Sequence, residues 1–292
     1  MNYGIPYLGS KSRLVERLVP LLPSSDTFVD LFAGGCAVTH AAVLSGKWRR
    51  VVANDVDPLP LRLFKDAIEG RAMENFRWFS RKEFFESRES DPYAKYLFSF
   101  SNNGADYSYT PELEALKREL SRLVLSDDWH ERRVLLRKVV RMVLGLFKGQ
   151  DFDGAVENLC RCQALEHLER LERLERLKGI KGLAKAPIVF SNKDYRDVEL
   201  PEGSTVYCDI PYRTAKQAKG TYIYRFDYGS FYEWALSREF PVFVSEYTMP
   251  EGFSEVASFR HVARRGGGGM NKVVQERVFV QSRFAQSLRL SA

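Results

Sequence analysis

The chain of 292 residues lacks several things. It has no run of about 18 consecutive apolar residues, so no membrane-spanning helix is expected. Its N-terminus has no long apolar stretch and carries Lys11, Arg13 and Arg17, so no signal peptide is visible. It holds only four cysteines, too few for a disulfide framework. Cys160 and Cys162 form a lone C-x-C with no second pair, so neither zinc nor any other metal site is expected. A reducing cytoplasm fits that usage. His40 and His130 are isolated, with no nucleophile or ligand partner nearby in sequence, and read as structural. Charge of one sign is also scarce: 44 Lys+Arg face 38 Asp+Glu, a net of +6, which permits a polyanionic partner without demanding one.

What is present is ordinary globular composition, 45% hydrophobic and 28% charged, enough for one large domain or two modest ones. At the start, helical and strand patterns alternate. Apolar residues at 14, 15, 18, 21 and 22 mark a helix from Arg13 to Leu22, closed by Pro23. Thr27 to Ala33 reads as a strand, Ala37 to Ser45 as a helix ended by Gly46, and Arg50 to Ala53 as a second strand. Asn54 to Asp57 is a turn, after which Pro58 opens a helix. Short β-type runs return at Pro187 to Phe190, Thr205 to Cys208 and Val242 to Ser245. Phe231 to Leu236 reads as helix, and Val273 to Gln281 as a terminal strand pair. Such alternation implies an α/β fold with a mostly parallel sheet.

The middle differs. Ser80 and Glu83 form a capping box, residues 93–109 mix aromatics with turn residues, and Pro111 to Leu125 and Asp128 to Leu146 are amphipathic helices. This reads as a largely helical insert, residues 71–185, between residues 1–70 and 186–292. Leu165, Leu168, Leu171, Leu174, Leu177, Ile180 and Leu183 recur every third residue, which drifts around a helix of 3.6 residues per turn. It reads as a charged, solvated helix to about Leu177, with a coiled-coil partner as the alternative.

Three stretches carry chemistry. Asp30-Leu31-Phe32-Ala33-Gly34-Gly35 runs from a strand into glycines, where the backbone can approach a ligand closely. It lacks the diphosphate pattern G-x-G-x-x-G and the lysine of a P-loop, which disfavours a nicotinamide-dependent oxidoreductase. Asn54-Asp55 ends the next strand, a position from which acids hold ribose hydroxyls. Asp30 and Asp55 together suggest an adenosine cofactor without phosphates. Asp209-Ile210-Pro211-Tyr212 ends a third apolar run. There Pro211 fixes the backbone so that the Asp209 carboxylate and the Ile210 carbonyl can meet an NH2 group, with the Tyr212 ring beside it.

In their order these motifs resemble the DNA adenine-N6 methyltransferases, the DNA adenine methylase-like family also carried by phages. Tyr7-Leu8-Gly9-Ser10-Lys11 resembles the family's N-terminal cofactor motif, Asp30 to Gly35 its methyl-donor loop, and Asn54 to Asp57 its ribose-binding turn. Ser191 to Tyr195 resembles the segment whose acid touches the donor's adenine, here Asp194, and Val244 to Tyr247 a later strand. Asp209-Ile210-Pro211-Tyr212 stands where the family has Asp-Pro-Pro-Tyr. Ile210 departs from it but keeps the main-chain carbonyl.

The resemblance implies a Rossmann-like methyltransferase sheet with a mostly helical inserted target-recognition domain. It implies S-adenosyl-L-methionine as cofactor and adenine N6, flipped from double-stranded DNA, as target. It makes Asp209, Ile210, Pro211 and Tyr212 the catalytic candidates. Tyr7, Gly9, Lys11, Asp30, Phe32, Ala33, Gly34, Gly35, Asp55, Asp194, Tyr195 and Asp209 become the cofactor candidates. For DNA, the basic helix offers Arg132, Arg133, Arg137, Lys138 and Arg141, and a glycine-rich loop offers Arg264, Arg265 and Lys272. Asn102 and Asn103, among aromatics, are candidates for base contact or for packing. A monomer or weak dimer is expected, and a cognate restriction endonuclease is compatible with the resemblance. An RNA substrate and a non-catalytic DNA-binding protein stay open.

Overall fold

The computed structural model describes residues 2–146, 188–212, 226–263 and 272–289, with residues 177, 179, 180 and 183. Cys160, Cys162, the leucine triplets before Leu177, and residues 264–271 lie outside the described residues. The chain divides into two compact units, Met1–Arg71 with Ile180–Ala292, and Ala72–Gly179. Among the described residues, no helix is long and apolar enough to cross a membrane.

The first unit carries α1 (Val15–Leu18), β1 (Thr27–Asp30), α2 (Ala37–Ser45), β2 (Arg50–Asn54) and α3 (Pro58–Ile68). The second carries α4 (Ala72–Asn75), α5 (Arg81–Ser87), α6 (Pro92–Leu97), α7 (Pro111–Leu125) and α8 (Trp129–Leu146). The first unit resumes with β3 (Ile188–Ser191), β4 (Thr205–Cys208), α9 (Tyr228–Ser237), β5 (Val242–Glu246), β6 (Phe253–Ala263), β7 (Lys272–Gln281) and α10 (Ser282–Arg289).

The seven described strands form one sheet in the order β3-β2-β1-β4-β5-β7-β6. β1 to β5 pair in parallel, with Phe28 beside Val51 and Thr205, while β7 runs antiparallel to both β5 and β6. Successive strand residues face opposite sides. Phe28, Val51 and Tyr207 pack in one cluster with Trp48 and Leu18; Val29, Val52 and Val206 pack in another with Phe231 and Ala235. Both faces of the sheet are covered, the usual condition of a parallel sheet.

Several boundaries differ from the sequence expectation. Arg13 to Leu22 is not one helix: a 3-10 turn at Lys11–Arg13 leads into α1, and a second covers Val19–Leu21. Pro20 has no amide hydrogen to continue the α ladder and its ring crowds the preceding turn. β1 stops at Asp30 rather than Ala33, before the left-handed Gly34. Val273 to Gln281 is not itself a strand pair; it lies within the single strand β7, which pairs with β5 and β6. α9 starts early because the Asp227 carboxylate caps it, accepting from the Ser230 amide.

In the second unit the capping box forms at α5: Glu83 Oε2 accepts from the Ser80 amide at 2.8 Å, and Ser80 Oγ accepts from the Glu83 amide. Trp78, Phe79, Phe98, Tyr107 and Tyr109 pack edge on face or stacked. α7 meets α8 through Leu116 and Val139.

Candidate active site

From β1 the sheet grows one way through β2 and β3, and the other way through β4 and β5. That reversal opens a crevice at the carboxyl ends of the strands. A cavity of about 560 Å³ lies there, at the tips of β1, β2 and β4. Every cofactor and catalytic candidate lines it: Tyr7, Gly9, Lys11, Asp30, Phe32, Ala33, Gly34, Gly35, Asp55, Asp194, Tyr195, Asp209, Ile210, Pro211 and Tyr212.

At the β1 tip, Asp30 Oδ2 accepts from the Thr39 amide (3.1 Å) and hydroxyl (2.7 Å), which ties it to α2. Its other oxygen is buried without a hydrogen-bond partner. Burial, opposed by the Thr39 donors and joined by Asp209 and Asp55, raises the carboxyl to about 7. Asp55 Oδ2 accepts from the Gly34 amide at 2.7 Å, and its Oδ1 from the Asp57 amide at 2.9 Å. Asp55 is thus part of the scaffold that shapes the loop, and burial lifts it to about 6.

The close neighbour of the two glycines is Tyr7. A Cβ on Gly34, whose φ is +44°, would lie 2.9 Å from the Tyr7 ring, and one on Gly35 would collide with Tyr7 Cβ. The small residues make room for the N-terminal segment and also line the cavity. Ile5 donates its amide to the Gly35 carbonyl at 2.8 Å, fastening that segment down. His40 serves the same end, its buried Nδ1 accepting from the Gly4 amide at 3.0 Å.

Asn54 matters more to the site than its sequence position suggested. Its Nδ2 donates to the carbonyls of Leu31 (3.1 Å) and Lys193 (3.0 Å), and its Oδ1 accepts from the Lys193 amide. It therefore fixes the β2 tip to the loop after β1 and to the segment after β3. In that segment the Asp194 carboxylate is held by Arg196 at 2.8 and 3.0 Å, which keeps it below its usual range. Tyr195 is buried against Phe32 (5.5 Å) and Trp234 (5.1 Å).

At the β4 tip, Asp209 is not a lone carboxylate. Lys11 Nζ donates to its Oδ1 at 2.6 Å and lies 2.8 Å from Glu276 Oε1. The Lys11 and Glu276 side chains are each 5% exposed, that of Asp209 20%. Burial raises Asp209 to about 6; Lys11 opposes this, while Glu276 and Glu246 add to it. Burial disfavours the Lys11 charge, but Asp209 and Glu276 outweigh it and hold the ammonium above its ordinary range. The ammonium also sits 4.6 Å from the Tyr212 ring centre, and Tyr212 lies 4.6 Å from the Tyr247 ring at a tilt of 45°. Ile210 is buried in the apolar cluster with Val29, Val206 and Phe231, so the residue that departs from the family pattern contributes to the core. Sequence reasoning missed Glu276 entirely. It stands alone in a β-type run, with no motif around it.

The cavity wall has six carboxylates (Asp30, Asp55, Asp57, Asp194, Asp209, Asp227) against three cations (Lys11, Lys193, Arg196). A cationic ligand suits it better than an anionic one.

Arg132, Arg133, Arg137, Lys138 and Arg141 are exposed on α8. Leu135 and Val139 are buried on the opposite side from Arg133, Arg137 and Arg141. Lys138, exposed like its neighbours, also pairs at 2.9 Å with the nearly buried Glu119 of α7. Trp129, 70% exposed, shares the helix. Arg264 and Arg265 lie outside the described residues, and Lys272 opens β7, paired with Ala263. Asn103 is a turn former, its Oδ1 accepting from the amides of Ala105 and Asp106. Ser101 and Asn102 both have positive φ, 50° and 58°, and Asn102 Oδ1 is buried without a partner.

No curated protein matches the chain. Residues 7–129 match the family model of the D12 class N6 adenine-specific DNA methyltransferases. That stretch contains the N-terminal motif, the Asp30 loop and the Asn54-Asp55 turn, and ends before Asp209. The family's reaction is methylation of adenine in DNA, which implies S-adenosylmethionine as donor. Over residues 7–129 the chain is thus similar to the D12 class N6 adenine-specific DNA methyltransferases, the family its motifs resemble.

Proposed function

We propose that the chain transfers a methyl group from S-adenosylmethionine to N6 of an adenine turned out of double-stranded DNA. The observation that carries this reading is the single cavity that gathers the Asp30 loop, Asp55 and the Asp209-to-Tyr212 motif. The residues present fit the donor: its sulfonium and amino groups suit the excess of carboxylates, and Asp30 keeps one buried oxygen without a partner. Asp30, Phe32, Gly34, Asp55, Asp194 and Tyr195 would hold it. When bound, it supplies an electrophilic methyl group on sulfur.

The protein's own groups then act by placement. Adenine must leave the duplex for its exocyclic amine to reach a buried site. The Asp209 carboxylate and the Ile210 carbonyl accept the two amine hydrogens, which aims the nitrogen lone pair into the cavity. Lys11 occupies Oδ1 of Asp209, so Oδ2 is the oxygen for the amine. Negative charge on Asp209 stabilises the positive charge that grows on nitrogen during attack, and its Oδ2 is placed to take the proton the methylated nitrogen then gives up. The Tyr212 ring offers a face to the base, a stack worth about 1–3 kcal/mol in single-strand binders.

The second unit supplies the grip on DNA in this reading. Arg133, Arg137 and Arg141 meet phosphates, with Arg132 beside them, which makes binding salt-dependent. Incubation with labelled S-adenosylmethionine and duplex DNA, with RNA in parallel, followed by nucleoside analysis, tests it. N6-methyladenine in the DNA is expected. Label confined to RNA, or cofactor binding with no label in either polymer, would overturn it.

A further inference from the structure

Glu276 belongs to none of the motifs, yet its carboxylate is buried on β7 against the same ammonium that holds Asp209. Lys11 has three hydrogens to donate and gives them in at least two directions. Around Asp209 stand Lys11 from the N-terminal turn, Glu276 from β7, Glu246 from β5, Asp30 from β1, Asp55 after β2, and Tyr207 on β4 itself. Among the described residues, these acids outnumber the buried Lys11. A Lys11 held by Asp209 alone would spend its full charge there and leave a poor hydrogen-bond acceptor. A second carboxylate draws part of that charge away and fixes the direction of approach. The same ammonium lies over the Tyr212 ring, so its placement also bears on the aromatic face beside Asp209.

We propose that Glu276 is a positioning residue: by sharing Lys11, it keeps that ammonium on one oxygen of Asp209 and leaves the other oxygen a strong acceptor for the target amine. Strand β7 is thereby a working part of the site. The proposal rests on the methyltransferase reading of Asp209, and the test separates the two.

Three variants of the full chain are compared with wild type: Glu276→Gln, Glu276→Asp and Lys11→Met. The readouts are the pH dependence of single-turnover methyl transfer, S-adenosylmethionine affinity by calorimetry, and NMR titration of the Asp209 carboxyl carbon, assigned with Asp209→Asn. Glu276→Gln lowers the transfer rate about tenfold, a modest part of what a positioned acid or base contributes, while cofactor affinity holds. The Asp209 midpoint, near 6 in wild type, moves down in Glu276→Gln and up in Lys11→Met. Glu276→Asp, which keeps the charge, restores part of both effects. It also decides the matter if Glu276→Gln does not fold, since its shorter stem still moves the midpoint down. A Glu276 variant that loses thermal stability but keeps the wild-type rate and midpoint overturns the proposal. If wild type methylates no polymer, the methyltransferase reading fails, and the Asp209 titration alone still shows whether Glu276 governs that carboxyl.

Discussion

The tips of β1, β2 and β4 and the exposed side of α8 solve different problems. At the strand tips nearly every polar group is tied to another: Asp30 to Thr39, Asp55 to Gly34, Asn54 to Lys193, Asp209 to Lys11. On α8, Arg133, Arg137 and Arg141 stand exposed at spacings of four. Chemistry on one nitrogen needs groups held in place before the substrate arrives. Attraction to a polyanion needs only charge within reach, and flexible side chains serve it well.

Asp209→Ala should separate the regions most sharply. Methyl transfer should fall by about a thousandfold or more, as when a preorganised electrostatic group is removed, while cofactor and DNA affinity stay within about twofold in equilibrium titrations. The comparison breaks if the arginines prove equally vital to chemistry at saturating DNA. Replacing Arg133, Arg137 and Arg141 together with alanine should weaken DNA binding by roughly 10–100-fold at physiological salt and flatten the salt dependence by about two to three units of slope. Cofactor affinity should not change.

Smaller effects sharpen the account of the strand tips. Asp30→Asn should cost about tenfold in cofactor affinity, the loss of one charge-assisted contact. It should also change the pH dependence of stability. The folded carboxyl sits at about 7 against 3.8 for an ordinary one, so between those values the folded state binds more protons than the unfolded. Stability therefore falls as pH rises from about 4 to 7 in wild type, and this share of the fall should vanish in Asp30→Asn chemical denaturation curves. Gly35→Ala should lower stability by about 1–3 kcal/mol, because its new methyl group meets Tyr7.

Much of this was legible in the sequence because the chemistry is local. Asp30 to Gly35, Asn54-Asp55 and Asp209 to Tyr212 are each a strand end plus a turn, and such ends meet at one edge of a parallel sheet. Distance hid the rest. Lys11 and Asp209 are 198 residues apart, and Glu276 comes from an antiparallel strand with no motif around it. Pro20 broke a helix that hydrophobic spacing alone had run through to Leu22. Lys138 looked like its arginine neighbours until the fold set Glu119 of α7 beside it. Ile210 stood out as a departure in a motif, and its packing with Val29 and Phe231 gives that side chain a place in the core.

The most direct test is to give wild type and Asp209→Ala the same labelled S-adenosylmethionine and the same mixed-sequence duplex DNA, and to digest the product to nucleosides. The account predicts N6-methyladenine from wild type alone, with both proteins binding the cofactor. Equal label from both, or label on a nucleoside other than adenosine, would contradict it.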